Sequence, residues 1–379
     1  MTDLLEVAVE PPADWDERVV DRPGGHVLQS RAWARHRRRS GWRPLFLSAG
    51  EAGVLALTRS WPLIGGGSAY LPRGPVPTAG GEAAARFLVA AAATLAEHGI
   101  DVVAADPEVP AADSSYRARI AAAGFQPIEE IQPSRHRLTL PLGAGVGAGV
   151  DEAAAFGGLA KSTRQRIRSA ETELDIVRFD ARTPADGVGE GFVRSTEAAD
   201  PALDRFYDLL RRTGERRHFT FGSRTEFVGW WRIALVAGHL VFLEARTGDD
   251  ADEPVAGLIL YRHGGRLSTV HSADRAESRA AHPGALHLLR WRAIQLAIRE
   301  GCAEMDLGGA DVAGARREPR EGEPMYGLYR HKRSFGAEWL ELAGAHEQVI
   351  RPTRYRVGRV VARAARLAGG ALRGGASGR

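Results

Sequence analysis

The second half of the chain has an order of strands and helices that allows few folds. Strand-like runs lie at about 239–245, 255–262 and 266–271, and a helical segment at 284–300 leads into the strand 303–307. In the first half, helical segments alternate with short strands. Such an order predicts an α/β fold with mixed sheets covered by helices. A chain of 379 residues is long enough for two such domains.

Composition narrows the class of protein further. A hydrophobic fraction of 44% with 26% charged residues is ordinary for a folded globular chain. Cys302 is the only cysteine, so an internal disulfide is impossible. Neither a signal peptide nor an apolar run of spanning length is visible, and we therefore expect a cytoplasmic protein. The net charge of +4 does not by itself indicate nucleic-acid binding.

Lysine is almost absent, and its two positions are informative. Of 51 basic residues only Lys161 and Lys332 are lysines. Lys332 lies in the aromatic-flanked stretch Tyr326–Gly336. Lysine is a compact point charge, whereas arginine is a planar fork that cannot always replace it. We interpret Lys332 as a functional cation; chance retention on a solvated helix is the alternative.

A basic helix is predicted over residues 159–171. Its apolar face comprises Leu159, Thr163, Ile167 and Ala170. Its outer face carries Lys161, Arg164, Arg166 and Arg168. Several cations on one face suit a polyphosphate or an RNA backbone. A surface helix with merely solvated charges is the alternative.

Motifs in a fixed order resemble those of the Fem family, the aminoacyl-tRNA-dependent transferases that build peptidoglycan cross-bridges. They include Gln29-Ser30 with Trp33-Ala34, the segment Asp306-Leu307-Gly308-Gly309, and Lys332 followed by Phe335-Gly336. The resemblance covers roughly residues 24–350. It implies two tandem GNAT-like acyltransferase domains and no cofactor.

The resemblance also implies domain boundaries. The first domain would comprise 1–150 completed by 325–365, the second would comprise 151–324, and 366–379 would be a disordered tail. The glycine-rich run 143–149 fits no Gly-x-Gly-x-x-Gly register and is interpreted as a linker. The basic amphipathic segment 355–372 could pack on the fold, contact an anionic membrane or lie on RNA.

The resemblance further implies the site residues. Lys332 would stabilise the developing oxyanion and the departing ribose oxygen, with His331 beside it in place of the family's phenylalanine. The residues expected to bind substrate are Arg37, Thr220, Arg224, Thr269, His271 and Phe335. Those expected to bind tRNA or phosphate are Lys161, Arg164, Arg168 and Arg216. Neither a metal motif nor a Ser-His-Asp or Cys-His set is legible.

The implied partners are aminoacyl-tRNA and a lipid- or nucleotide-linked peptidoglycan precursor, with peripheral contact to the inner membrane face. Gly222 and Glu226 depart from the family's arginine and tyrosine, which leaves open another amine, such as a specialised metabolite. A CoA-dependent N-acyltransferase is a second possibility, although His282-Pro283-Gly284-Ala285 is a poor pyrophosphate loop. A non-enzymatic RNA-binding module is a third.

Overall fold

A computed structural model describes residues 5–76, 80–132, 135–143, 151–183, 189–193, 197–217, 222–248, 254–310 and 317–374. The chain forms two compact units. Unit 1 comprises Met1–Arg135 and Glu341–Arg379, and unit 2 comprises His136–Leu340.

The strands are β1 (Glu6–Ala8), β2 (Arg43–Ala49), β3 (Ala52–Ser60), β4 (Gly67–Leu71), β5 (Val102–Ala105), β6 (Gln126–Pro127), β7 (His136–Pro141), β8 (Asp175–Asp180), β9 (Leu240–Arg246), β10 (Ala256–His263), β11 (Arg266–Asp274), β12 (Glu304–Asp306), β13 (Glu338–Glu341) and β14 (His346–Val349). The helices are α1 (Arg31–Arg39), α2 (Gly81–Glu97), α3 (Ser114–Ala122), α4 (Glu152–Gly158), α5 (Lys161–Glu171), α6 (Ala199–Arg217), α7 (Arg224–Val236), α8 (Ser278–Ala281), α9 (Ala285–Arg299), α10 (Tyr326–Arg333) and α11 (Pro352–Gly374).

Unit 1 is built on a mixed sheet of order β1-β2-β3-β4-β5-β14-β6. Its β4–β5 pair is parallel, and β14 is inserted antiparallel beside β5. The alanine-rich α2 buries its inner face in a core that includes Leu88, Val103, Tyr116 and Phe125. Gln29 is fully buried ahead of α1, where its side-chain amide bonds two backbone groups. These bonds fix the entry into α1, whose N-cap is Ser30 as its side chain predicts.

Unit 2 has a second mixed sheet, of order β13-β7-β12-β11-β10-β9-β8. The predicted succession of three strands, a helix and a further strand is confirmed as β9, β10, β11, α9 and β12. The β11–β12 pair is parallel, because α9 forms the crossover between them. Buried side chains from α9 and the sheet, including Leu258, Leu288 and Met305, form the core.

The observed units and elements differ from the expected domain bounds at two places. Residues 325–340 belong to unit 2 and not to the first domain, because β13 joins the edge of the unit 2 sheet beside β7. Only the chain beyond them returns to unit 1, as β14 and α11. The helical backbone of α11 also runs to Gly374, past the predicted start of a disordered tail at 366.

Candidate active site

Lys332 points into unit 2 from the last turn of α10. Its side chain is only 5% exposed, and its Nζ donates to the carbonyl oxygen of Gly309 at 2.9 Å. The Asp306 carboxylate, at the end of β12, accepts the Gly308 N–H at 2.7 Å and thereby fixes this turn. The turn therefore aims a backbone carbonyl at the buried ammonium group.

The backbone of Thr269, a second predicted site residue, lies near Lys332 at Gly308. Its φ is +74°, and a Cβ there would lie 3.0 Å from the carbonyl oxygen of Thr269 and 3.3 Å from the Nζ of Lys332. A side chain at this position would therefore be strained and crowded. The carbonyl of Thr269 on β11 and the ammonium of Lys332 therefore both lie close to the Cα of Gly308.

His331 contacts a histidine that the sequence analysis did not single out. Its Nδ1 lies 3.2 Å from the Nε2 of His287 on α9, with the two ring centroids 4.4 Å apart. Burial, followed by the charge of neighbouring arginines, lowers the pKa of His287 to about 4 and that of His331 further. Both imidazoles are therefore neutral at pH 7, and one ring nitrogen donates while the other accepts.

Two arginines complete the surroundings of this histidine pair. The guanidinium of Arg290, one helical turn after His287, is 1% exposed and donates to the carbonyl of Leu286 and to Ser272 Oγ. Burial lowers its pKa to about 10, so it keeps its charge. Within the described part of the chain, no carboxylate lies within 4.0 Å of it. The exposed Arg166 places its Nη1 3.4 Å from the Nε2 of His287.

The predicted basic helix is confirmed as α5, and it packs next to α10. Its face of Leu159, Thr163, Ile167 and Ala170 is buried, as expected. Thr163 Oγ1 donates to Ser334 Oγ at 2.8 Å, and the Ala160 N–H donates to the Ser334 carbonyl at 3.0 Å. The start of the cationic helix is thus joined directly to the turn that follows Lys332.

The outer face of α5 is only partly available to a ligand. Lys161 and Arg168 are exposed, and the guanidinium of Arg168 lies over the Phe156 ring at 5.4 Å. Arg164 instead turns back to the carbonyl oxygen of Gly157 at 2.7 Å. Arg164 therefore attaches the end of α4 to α5 and adds no charge to the exposed cationic face.

Three residues predicted to bind substrate or phosphate make contacts within the fold. Phe335 is fully buried in the unit 2 core and lines no surface. Arg224 is paired with the carboxylates of Asp204, at 2.9 Å, and Asp208, so it offers no uncompensated charge to an acceptor. Arg216 donates to the backbone of Asp274 at 3.0 Å.

His271 and Thr220 were also predicted to bind substrate. His271 packs between Phe227 and Trp231, and burial lowers its pKa to about 4. Thr220 lies outside the described residues.

In unit 1, the guanidinium of Arg37 is half-buried between the rings of Trp33 and Trp42, at 5.3 and 5.7 Å. The aromatic rings hold this side chain in place through cation–π contacts. It is therefore a fixed cation on α1, and its contact with substrate stays a prediction.

A second cluster in unit 1 surrounds Asp106, just after β5. The buried carboxylate of Asp106 accepts from the Tyr70 hydroxyl at 3.0 Å and from the Arg73 N–H at 2.8 Å. Burial raises the pKa of Asp106 to about 6. Arg73 has a left-handed φ of +54°, which is rare for a residue with a side chain. Strain together with a carboxylate that titrates near neutral pH is typical of functional sites.

The described residues contain neither a metal-binding cluster nor a membrane-spanning helix. No group of three or more histidine, cysteine, aspartate or glutamate side chains in them is arranged to hold a metal ion. No helix there is both long enough and apolar enough to cross a bilayer.

Comparison with known proteins supports a GNAT-like fold. Residues 159–333 match the family model described as "Acetyltransferase (GNAT) domain". No curated protein matches the sequence. Among solved structures, FemX is 16% identical, with a TM-score of 0.73 over 93% of this chain and 99% of that one.

Two other structures are similar at lower scores. L-PGS from Bacillus licheniformis is 12% identical, with a TM-score of 0.50 over 94% of this chain and 99% of its own. A conserved protein of unknown function from Bacteroides thetaiotaomicron VPI-5482 is 12% identical, with a TM-score of 0.51 over 91% and 99%. At these identities the likeness establishes the fold. The match to an acetyltransferase (GNAT) domain lies within unit 2, and the likeness to the FemX fold extends over both units.

Proposed function

We propose that this protein transfers an aminoacyl group from aminoacyl-tRNA to an amine, and that the acceptor is a stem peptide of a peptidoglycan precursor. The observation that carries the proposal is the buried ammonium of Lys332, held at the Gly308–Gly309 turn beside two neutral imidazoles. The FemX-like fold supports the same class of reaction. A tRNA donor would place the reaction in the cytoplasm.

The reaction needs a positioned amine and a charge that opposes the developing oxyanion. The amine nitrogen attacks the ester carbonyl carbon, the new C–N bond forms, and the C–O bond to the ribose breaks. The nitrogen loses a proton and the ribose oxygen gains one. A cation in a partly desolvated place stabilises the negative charge that develops on both oxygens. Lys332 is suited to this role, because burial at 5% exposure shields its charge from water.

His331 would assist as a neutral imidazole. A histidine whose pKa is lowered stays neutral at pH 7 and can donate a hydrogen bond without carrying charge. The contact between His331 Nδ1 and His287 Nε2 fixes the ring, so that its Nε2 has a defined direction. We assign His287 as the positioning residue of this pair.

The exposed cations of α5 would hold the phosphates of the donor. Lys161 and Arg168 lie on the helix whose first residues are bonded to Ser334, directly after the Lys332 turn. Phosphate contacts of this kind position a nucleic acid without reading its sequence, and they weaken as salt rises.

Unit 1 carries two charged groups that suit the proposed acceptor. Arg37 offers a fixed cation, and Asp106 offers a carboxylate that changes charge near pH 6. A carboxylate of this kind suits an ammonium group of the acceptor.

A CoA donor is the runner-up, and one contact argues against it. In a CoA site the turn before α9 would have to receive a pyrophosphate. Here a Cβ on Gly284, in that turn, would lie 2.3 Å from the carbonyl oxygen of Arg166 on α5. The backbone of α5 therefore packs directly against the turn that the pyrophosphate would need.

The test is to incubate the protein with labelled aminoacyl-tRNA, and separately with acetyl-CoA, in the presence of lipid-linked or nucleotide-linked muropeptide. We expect only the tRNA ester to be consumed. Lys332→Ala should lower turnover about 10²–10³-fold. Lys332→Met, which fills the same volume, should do the same while keeping the fold, as checked by circular dichroism.

Lys161→Ala is the matched control, since it removes the other lysine from an exposed position. It should weaken donor binding in a salt-dependent way and leave the maximal rate nearly unchanged. Full activity of the folded Lys332→Met variant would refute the role of Lys332. Consumption of acetyl-CoA alone would refute the donor.

A further inference from the structure

Unit 1 exposes an apolar tip beside its C-terminal helix. Leu63, between β3 and β4, is 98% exposed and has a φ of +65°. Its neighbour Ile64 lines a shallow cleft together with Arg354 and Val357 of α11. A strained, fully exposed leucine contributes nothing to the core, so another reason for it is needed.

The register of α11 turns its apolar residues outward. Gly358 packs against the indole of Trp61, where a Cβ would lie 2.4 Å from the ring. The ring centroids of Tyr355 and Trp61 are 6.2 Å apart. This glycine contact decides which face is buried. As a result Val357 is 46% and Val360 69% exposed. Packing on the fold, one of the three possibilities for this segment, does occur, and it is made through Tyr355 and Gly358.

The same helix carries uncompensated positive charge. Arg356, Arg359 and Arg363 are exposed. Among the described residues, no carboxylate lies within 4.0 Å of any of the three. Arg354, one turn earlier, is paired with Asp101 at 3.5 Å, where it helps to attach the helix to the body of unit 1. The three arginines without a carboxylate partner therefore follow the part of α11 that Arg354 attaches to unit 1.

We propose that Leu63, Val357, Val360 and the three arginines without a carboxylate partner form a membrane-contact surface that binds an anionic lipid bilayer. Aliphatic side chains enter the boundary of the acyl region, while arginines beside them meet lipid phosphates. Both elements are needed for stable binding, because a short apolar insertion alone is marginal. RNA is the less suitable partner, since RNA-binding surfaces combine arginine with aromatic stacking and gain nothing from exposed aliphatic groups.

The surface predicts a specific pattern of vesicle binding. The full chain should sediment with vesicles of phosphatidylglycerol and phosphatidylcholine but not with pure phosphatidylcholine. Replacing the three arginines by glutamine should weaken binding about 100-fold, because each contributes about fivefold near an anionic surface. Leu63→Ser with Val360→Ser should weaken it at least tenfold.

Matched controls come from the same unit. Val9→Ser changes another exposed valine, after β1, which four strands separate from β14 in the sheet. Arg117→Gln changes an exposed arginine of α3. Both should bind vesicles like the wild type.

Three results would overturn the proposal. One is wild-type protein that does not bind the anionic vesicles. Another is binding that depends on the arginines but not on Leu63 and Val360, which would mean simple electrostatic adsorption. The third is a triple arginine variant that keeps vesicle binding and loses tRNA binding, which would assign the helix to RNA. The assay contains no aminoacyl donor, so its outcome is independent of the proposed transfer reaction.

Discussion

The His287–His331 contact predicts a specific acid sensitivity of unit 2. Both imidazoles are neutral in the folded protein, because burial and nearby cations disfavour their charged forms. The unfolded chain binds a proton at each histidine below about pH 6.5. The folded chain binds one at His287 only below about pH 4. Stability contributed by the neutral state of His287 is therefore present above pH 6.5 and is lost as the pH falls from 6.5 to 4.

The magnitude follows from the two pKa values of His287. A separation from 6.5 to about 4 corresponds to roughly 3 kcal/mol of unfolding free energy lost between pH 7 and pH 4. His36 and His271 have pKa values that are also lowered to about 4, so the wild type should lose stability for several reasons at once. The difference between the wild type and a His287 variant isolates one contribution.

His287→Gln is the appropriate change, since its amide reaches the position of Nε2 but does not titrate. Urea unfolding at several pH values between 7 and 4 should show a variant whose loss of stability is smaller than that of the wild type by about 3 kcal/mol. His98→Gln, at an exposed position, is the control. Parallel stability curves for the wild type and His287→Gln would refute the reasoning.

Three further substitutions test the packing of the two units. Gln29→Leu should cost about 2–5 kcal/mol in urea unfolding, because two buried backbone groups lose their side-chain partners, and an unchanged midpoint would contradict this. Arg262→Met should cost about 3–5 kcal/mol, because among the described residues it leaves only Arg178 to oppose the buried carboxylate of Asp180 and that of Glu300; a stabilised variant would exclude that account. Gly284→Ala should cost about 1–3 kcal/mol through its clash with the Arg166 carbonyl, measurable as a lower melting temperature, and a neutral effect would mean that α5 shifts freely.

Much of unit 2 could be predicted from local patterns. The spacing of Leu159, Thr163, Ile167 and Ala170 gave the buried face of α5, and the order of strands gave β9 to β12. These features are local, because an amphipathic period records which side of an element meets a core. The retention of lysine at 332 likewise pointed to a residue that is in fact buried against a glycine turn.

The contacts between distant segments could not be predicted in this way. His287 precedes His331 by 44 residues, and no spacing rule links a helix face to a turn that far along the chain. Arg224 was expected to be available to substrate, yet two aspartates of α6 neutralise it. Phe335 matched a motif, but its position in the core gives it a structural role.

By itself, the sequence determined the main strands and helices of unit 2, the presence of two α/β units and a lysine as the candidate functional cation. Only the tertiary structure decided which unit holds Lys332, which histidine faces His331 and which side of α11 meets solvent. The physical reason is that periodicity and residue type describe an element's own surface. Strand pairing at a sheet edge, or the fit of Gly358 against Trp61, depends on groups that meet only after folding.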